Sequence, residues 1–171
     1  MKEWSQNIAA HLIKENGTFP NNPNLPLLIA GQVFCKSGVT AEQFEQLFTS
    51  NSWPAAWRNG LYSVHHYHST AHEALGIYSG WIVACFGGPG GKVLRAEAGD
   101  VIIIPAGVSH CNNKQSPDFR VVGAYPLNQH WDMKYGDAGE RPEVDQVILD
   151  VPRPLADPVF GVDGGLKTLW E

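Results

Sequence analysis

The sequence predicts an all-β protein, an antiparallel sandwich or barrel, and two observations support this class. Between residues 61 and 125, six short β-rich runs alternate with turn clusters, a spacing typical of antiparallel rather than parallel sheets. The chain also carries 18 glycines and 12 prolines, above the roughly 12% of average usage, which implies many turns. The six runs are LYSVHHYH, EALGIYSG, WIVACFGG, KVLRAE, VIIIPAG and FRVVGAYP.

The N-terminal segment is expected to contain short helices and an edge strand. The first fifteen residues fit an amphipathic helix with one apolar face. The residues of that face are Trp4, Ile8, Leu12 and Ile13. After a loop, LPLLIAGQVF fits a strand, and its leading proline indicates an edge position or a strand entry.

A second helix is predicted at about residues 40 to 49. Thr40 can cap its N-terminus, and Gln43 three residues later completes a capping box. We expect one side of this helix to be buried. That side consists of Phe44, Leu47 and Phe48.

The C-terminal third is rich in proline and acidic residues and contains one predicted strand, DQVILDVP. It is expected to wrap around the barrel. No internal repeat or domain boundary is evident, so the sequence predicts a single domain over residues 1–171. Within it, residues 1–55 supply the N-terminal helices and edge strand, and residues 126–171 form a C-terminal extension.

Charge and apolar runs argue against several classes of partner. The net charge is −5 and no cluster of lysine and arginine occurs, so neither nucleic acid nor an anionic membrane is expected as a partner. The longest apolar runs fall short of the roughly 20 residues that a membrane helix needs. The N-terminus has no signal-peptide pattern, and the three cysteines are an odd count. Reduced thiols in a cytoplasmic protein are expected.

Residues 65–73, HHYHSTAHE, contain four of the seven histidines and a glutamate. Alternate side chains of a strand share a face, so His66 and His68 project together and can reach one metal ion. If residues 69 to 72 form a turn, Glu73 opens the returning strand of a hairpin and reaches the same ion. A fourth donor must come from elsewhere. The other internal candidates are His110 and His130.

Two motifs make the sequence resemble the cupin superfamily. Gly60, His66, His68, Glu73 and Gly80 match the first cupin motif, G-x5-H-x-H-x4-E-x6-G, at every specified position. The second motif, G-x5-P-x-G-x2-H-x3-N, is matched by Gly99, Pro105, Gly107 and His110, but Lys114 replaces its final asparagine. That residue is not a metal ligand in cupins. The chain is also similar to a little-characterised group of single-domain bacterial cupins that share HYHSTAHEALG, IPAGVSH, VVGAYP and a Trp-Asp pair at residue 131.

The resemblance implies a double-stranded β-helix, or jelly-roll barrel, with its motif core at residues 60–114. It implies that His66, His68, Glu73 and His110 bind a divalent transition metal and leave one or two positions for water or substrate. Three histidines and a carboxylate suit iron, manganese, nickel, copper or zinc, and affinity order alone does not choose among them. By analogy with small cupins, we also expect a homodimer.

The remaining polar and thiol residues have mainly structural interpretations. By strand parity, His65 and His72 point away from the metal and take surface or turn roles, although His72 adjoins Glu73 and could instead support that ligand. Cys111 turns outward as a small buried residue, Cys85 lies in the core, and GGPGG at residues 87–91 is a hairpin turn. Five further side chains could line a pocket, although each is more often structural. They are Arg58, Tyr62, Tyr78, Arg120 and His130.

Three interpretations remain open from the sequence, and in one of them the metal is purely structural. The leading hypothesis is a small-molecule metalloenzyme, either an oxygenase or a metal-assisted isomerase or lyase. The alternative is a non-catalytic module that binds a small ligand as a sensor or store. No residue is identified as the catalytic acid or base, no organic cofactor site is indicated, and no helix-turn-helix is evident.

Overall fold

Nine strands and three helices make up the regular structure of residues 7–171, the part of the chain that the computed structural model describes. The strands are β1 (Ile8–His11), β2 (Leu27–Ala30), β3 (Ala55–Asn59), β4 (Glu73–Ser79), β5 (Trp81–Phe86), β6 (Lys92–Glu97), β7 (Val101–Ile104), β8 (His110–Gln115) and β9 (Arg120–Ala124). The helices are α1 (Ala41–Ser50), α2 (Glu143–Leu149) and α3 (Leu166–Leu169). No helix among the described residues is long and apolar enough to cross a membrane.

The strands form two sheets in which all neighbours are antiparallel. The larger sheet has the order β1-β2-β7-β4-β9-β3, and the smaller one has the order β6-β5-β8. Apolar side chains from both sheets form one buried cluster, so the sheets pack face to face. Its main members are Leu27, Leu75, Ile77, Ile82, Ala84, Phe86, Ile102, Ile104 and Val121. The predicted all-β jelly-roll barrel is confirmed.

The central strand β7 of the larger sheet is buried on both faces. In β7, Ile102 and Ile104 belong to the cluster between the sheets, whereas Val101 and Ile103 pack with Phe44 of α1 in a second cluster. A strand covered on both sides shows no polar alternation, which explains the continuous apolar run VIII.

Most of the predicted elements are present. Five of the six predicted β-rich runs contain strands, and residues 87–91 form the turn between β5 and β6, as predicted. In α1, the Gln43 backbone N–H donates to Thr40 Oγ1 at 3.3 Å and the Thr40 N–H donates to Gln43 Oε1 at 2.8 Å, which confirms the capping box. Phe44 and Phe48 of this helix are fully buried.

The prediction of a helix over the first fifteen residues is wrong for the part that the structure describes. Residues 8–11 form β1, which pairs with β2 from Ile8↔Ala30 to His11↔Leu27. Without β1, the edge of β2 opposite β7 would be unpaired, so ladder hydrogen bonds to that edge stabilise an extended chain despite the apparent helical periodicity. Trp4, the first residue of the predicted apolar face, lies outside the described residues. As β2 also pairs with β7, it is an interior strand, and its leading proline marks a strand entry.

Two further predictions of strands are wrong. DQVILDVP lies largely in α2, because Val144 and Ile148, four residues apart, are buried together while Val147 is 41% exposed. LYSVHHYH forms no regular strand and makes only two isolated bridges. These bridges are His66↔His110 and Tyr67↔Lys134.

Gly76 in β4 provides a test of the packing between the larger sheet and α1. A Cβ atom at this position would lie 2.6 Å from Cγ and Cδ1 of the fully buried Phe44 ring. We therefore expect Gly76→Ala to lower the free energy of unfolding by about 1–3 kcal/mol, the usual cost of overpacking a core. Urea denaturation measures it.

Gly60→Ala is the matched control, because a Cβ there meets nothing within 4 Å. Equal unfolding midpoints for the two variants would contradict the close contact between Gly76 and Phe44.

Candidate metal centre

Strand parity places Glu73 and His110 at one end of the core between the sheets. Glu73 begins β4 and shares its face with Leu75 and Ile77, which both belong to the cluster between the sheets. His110 begins β8 opposite Phe86, whose ring belongs to the same cluster. The carboxylate and the imidazole therefore approach one another from different sheets.

His66 and His68 lie in an extended segment that backbone hydrogen bonds hold in place. The His66 N–H donates to the His110 carbonyl at 3.2 Å, and the His110 N–H donates back at 2.9 Å. The intervening Tyr67 pairs instead with Lys134, and the His68 carbonyl accepts from Gly107. The alternation predicted for residues 66–68 is therefore present, but the predicted hairpin with Glu73 is not. Glu73 pairs with Ile104 of β7 and reaches the histidines across the sandwich.

Three of the four predicted ligands form a tight group. The donor atoms of His68, Glu73 and His110 all lie within 4.8 Å of one another. His68 Nε2 is 3.4 Å from Glu73 Oε1, and His110 Nε2 is 3.2 Å from Glu73 Oε2. The His66 ring stands beside this group, with its centroid 4.3 Å from that of His110 and 6.0 Å from that of His68. All four side chains are buried.

Each of the three histidines has its Nδ1 atom beside a backbone carbonyl. A carbonyl can only accept a hydrogen bond, so Nδ1 carries the proton and Nε2 of the neutral ring keeps a lone pair. The contacts are His66 Nδ1 to Val64 O at 2.7 Å, His68 Nδ1 to Asp132 O at 2.5 Å and His110 Nδ1 to Val108 O at 3.0 Å.

The facing atoms of Glu73 and His110, 3.2 Å apart, need a proton or a metal ion between them. Glu73 Oε2 and His110 Nε2 are buried and have no hydrogen-bond partner. An acceptor lone pair directed at a carboxylate is unfavourable unless a proton or a metal ion lies between them. Imidazole nitrogens and a carboxylate oxygen are the donors that divalent transition metals accept, so the residues fit the ion that the cupin motifs imply.

Burial and mutual charge shift the pKa values within the group. Burial lowers the pKa of His66 to about 3, and the neighbouring His110 adds to that shift, so His66 is neutral. Burial opposes ionisation of Glu73, but His68 and His110 outweigh it and hold the pKa of Glu73 below its usual value. Burial also opposes a charge on His68, and Glu73 outweighs it, raising the pKa of His68. A metal ion would have to displace the proton that this pair favours.

Tyr125 orients the carboxylate, and sequence reasoning did not identify it. The Tyr125 hydroxyl donates to Glu73 Oε1 at 2.7 Å and accepts from Trp57 Nε1 at 3.0 Å. Gly123 lies opposite Trp57 in the β3–β9 pair, and a Cβ at this glycine would overlap the indole ring. Gly123 and Tyr125 both lie in the stretch VVGAYP, and its similarity to other bacterial cupins was the only feature of the sequence that pointed to these residues.

Asp132 connects the C-terminal extension to the site. Its carboxylate accepts from the Ser69 backbone N–H at 2.6 Å and from the Ser69 hydroxyl at 2.5 Å. Its carbonyl lies beside His68 Nδ1. Asp132 therefore orients the His68 ring and fixes the turn that follows it. In the sequence, only the Trp-Asp pair shared with similar bacterial cupins pointed to this residue.

A cavity of about 250 Å³ opens over His66, His68 and Glu73. Aromatic and apolar side chains provide most of its walls, and two polar side chains stand with them. These lining residues are Trp57, Leu61, Tyr125, Trp131 and Met133, with Asn59 and Tyr62.

Of the five candidate pocket residues, Tyr62 alone lines this cavity. Arg58 forms ion pairs with Glu42 and Glu45 of α1. Tyr78 packs against the second cluster, the Arg120 guanidinium donates to the Phe119 carbonyl, and His130 is exposed.

His65 and His72 lie outside the group, as predicted. The expected surface or turn role is wrong for His72, which is completely buried. Its Nδ1 accepts from the Ala106 N–H at 2.9 Å, and its ring lies 4.7 Å from that of Trp170. Cys111 is buried with its Sγ 3.5 Å from His65 Nε2, and Cys85 is also buried, which confirms both predictions for the thiols.

Comparison with known proteins identifies a full-length relative. The chain is 34% identical over 160 residues to a Bacillus subtilis (strain 168) protein named "Uncharacterized protein YjlB", and the match covers 94% of each chain. No model of a protein family matches the chain.

Two solved structures are also similar. One is a DUF861 family protein from Thermotoga maritima, with 22% identity, a TM-score of 0.33 and coverage of 49% of this chain and 89% of that chain. The other is dTDP-6-deoxy-D-glucose-3,5-epimerase RmlC from Legionella pneumophila, with 14% identity, a TM-score of 0.36 and coverage of 72% and 73%. The full-length match shows that the chain belongs to the family of the Bacillus subtilis YjlB protein, and its paired antiparallel sheets are the fold that the two cupin motifs predicted.

Proposed function

We propose that this protein is a metal-dependent enzyme acting on a small molecule, with His66, His68, Glu73 and His110 binding one divalent transition metal ion. The observation that carries the proposal is the convergence of buried donor atoms, among which Glu73 Oε2 and His110 Nε2 have no hydrogen-bond partner. When bound, the ion would supply Lewis-acid polarisation of a substrate carbonyl or enolate, or redox chemistry for oxygenation.

The position of the cavity favours a catalytic over a purely structural role for the metal. Structural metal sites are closed by protein ligands, whereas catalytic sites keep a position open to substrate. Here the cavity reaches His66, His68 and Glu73, while His110 lies behind them. A small molecule in this cavity would meet the proposed ligands directly, between walls that are mainly apolar.

The residues around the site have distinct proposed roles. Tyr125 donates to Glu73 Oε1, which leaves Oε2 free to bind the ion. Asp132 orients His68 through its carbonyl. Burial raises the pKa of Tyr125, and the Glu73 carboxylate adds to this effect, so the phenol stays protonated and acts as a hydrogen-bond donor.

The reaction can be tested with iron, manganese, nickel and zinc forms of the protein. Each form is screened against small carbonyl, enol and phenolic compounds, with oxygen consumption and product mass as readouts. We expect turnover by at least one form. Oxygen consumption identifies an oxygenase, and turnover without it identifies an isomerase or lyase. Ligand binding by every form without turnover would instead support a binding protein.

Metal content tests the proposed ligand set. We expect protein purified without chelators to hold about one divalent ion per chain, and Glu73→Gln to hold less than about a tenth of that, because the substitution removes the only negative charge among the ligands. Elemental analysis measures the content, and circular dichroism checks that the variant is folded.

His130→Ala is the matched control, because His130 is exposed and lies outside the group. The proposal fails if wild-type protein contains no metal and takes up none, or if Glu73→Gln keeps a full complement.

The hydrogen bond from Tyr125 gives a second test. Tyr125→Phe removes the donor to Glu73 and leaves the aromatic ring in place, so we expect metal affinity to fall by about 10–100-fold, as for other residues that orient a ligand. Competition with a fluorescent chelator measures the affinity. Tyr78→Phe, which alters a tyrosine on the opposite face of the larger sheet, is expected to leave it unchanged.

A further inference from the structure

The cavity over the metal group has properties that select a class of ligand. Among the described residues, no lysine or arginine lines it. Glu73 carries the only negative charge among the proposed ligands, so a divalent ion would leave a single positive charge. One anionic oxygen of a ligand would neutralise that charge. A second anionic oxygen on the same ligand would have no positively charged partner in the cavity. The cavity has a volume of about 250 Å³, which is below the usual volume of pockets for drug-sized ligands and indicates a small molecule.

The walls favour a planar ring. The Tyr125 and Trp131 rings stack with centroids 5.7 Å apart and an interplanar angle of 22°. Trp131 is nevertheless 44% exposed, and Tyr62 is 57% exposed, although both line the cavity. Trp131 lies edge-on to His68 and Tyr62 edge-on to His66, each with centroids 5.5 Å apart. Two uncovered aromatic surfaces therefore stand beside two proposed metal ligands.

The hydrogen-bonding groups argue against a sugar or another polyol. The Tyr125 hydroxyl and the Trp57 N–H already bond to partners within the protein. Of the remaining lining side chains outside the metal group, three carry strong hydrogen-bonding groups, and all three are exposed; they are Asn59, Tyr62 and Trp131. A ring with several hydroxyls would leave most of them buried without partners, which costs free energy for each group.

We propose that the cavity binds a small planar aromatic molecule that carries at most one negative charge and directs an oxygen donor at the metal site. The inference rests on the proposed function, because that function supplies the metal that the oxygen meets. Trp131 acts as a specificity-determining residue, since its free face is where the ligand ring stacks.

Matched probes separate ring planarity from size and acidity. Benzyl alcohol and cyclohexylmethanol carry the same hydroxymethyl group on a planar and a puckered six-membered ring. Isothermal titration calorimetry with metal-loaded protein is expected to show benzyl alcohol binding about fivefold more tightly than cyclohexylmethanol, the ratio that one aromatic contact supplies. Myo-inositol is expected to bind more weakly than either, and benzoate more tightly than the dianion phthalate.

Two variants test whether Trp131 causes the preference for a planar ring. Trp131→Ala is expected to abolish the fivefold ratio, while Tyr135→Ala, which removes a comparably exposed aromatic ring that does not line the cavity, is expected to keep it. Elemental analysis of both variants shows whether the metal is retained. Tyr62→Ala, expected to reduce the ratio, is a second test if Trp131→Ala fails to fold.

The results distinguish this inference from the proposed function. Protein that holds no metal would refute the function, but the ring preference arises from the walls and remains measurable in chelator-treated protein. Metal-loaded protein that binds cyclohexylmethanol or inositol as tightly as benzyl alcohol would overturn the inference alone. An unchanged ratio in folded Trp131→Ala, or no measurable binding of benzyl alcohol, would also overturn it.

Discussion

A single buried carboxylate, that of Glu73, is the constraint on which the rest of the site depends. A charged oxygen pair with 2% exposure is stable only if every neighbour compensates for the lost water. Tyr125 does so by donating to Oε1, whereas the Nε2 atoms of His68 and His110 do so only when a proton or a metal ion lies between them and the two oxygens. The compensation is incomplete for Oε2, which has no hydrogen-bond partner. This imbalance leads us to propose a cation at the site.

The site draws on four separate parts of the chain, and hydrogen bonds tie the segment before β4 to two of the others. The larger sheet contributes Glu73, and the smaller sheet contributes His110. The reciprocal hydrogen bonds between His66 and His110 join the segment before β4 to the smaller sheet. Asp132, in the C-terminal extension, then contacts His68 and Ser69. The extension thus helps to orient a proposed ligand and also carries Trp131 at the cavity, so one segment affects both metal binding and the shape of the pocket.

The sequence was most informative where a local pattern had one physical solution. The capping box of Thr40 and Gln43 requires a helix start, and that helix is present. Alternation from His66 to His68 holds even though the segment is not a regular strand, because any extended backbone alternates its side chains. Prediction failed where a partner distant in sequence decided the outcome. Residues 8–11 became a strand because β2 offered an edge, and residues 143–149 became a helix because Val144 and Ile148 bury on one side.

By itself, the sequence determined an antiparallel sandwich or barrel and the spacing of His66, His68, Glu73 and His110, because turn residues, strand periodicity and motif spacing are local properties. The jelly-roll class came from the resemblance to cupins. Only the tertiary structure decided how these four residues meet. Glu73 reaches the histidines across the sandwich rather than across a hairpin, since the register of β4 with β7 turns its side chain into the space between the sheets. The roles of Tyr125, Trp57 and Asp132 were likewise hidden. Each depends on a hydrogen bond to a residue more than fifty positions away, which no local pattern encodes.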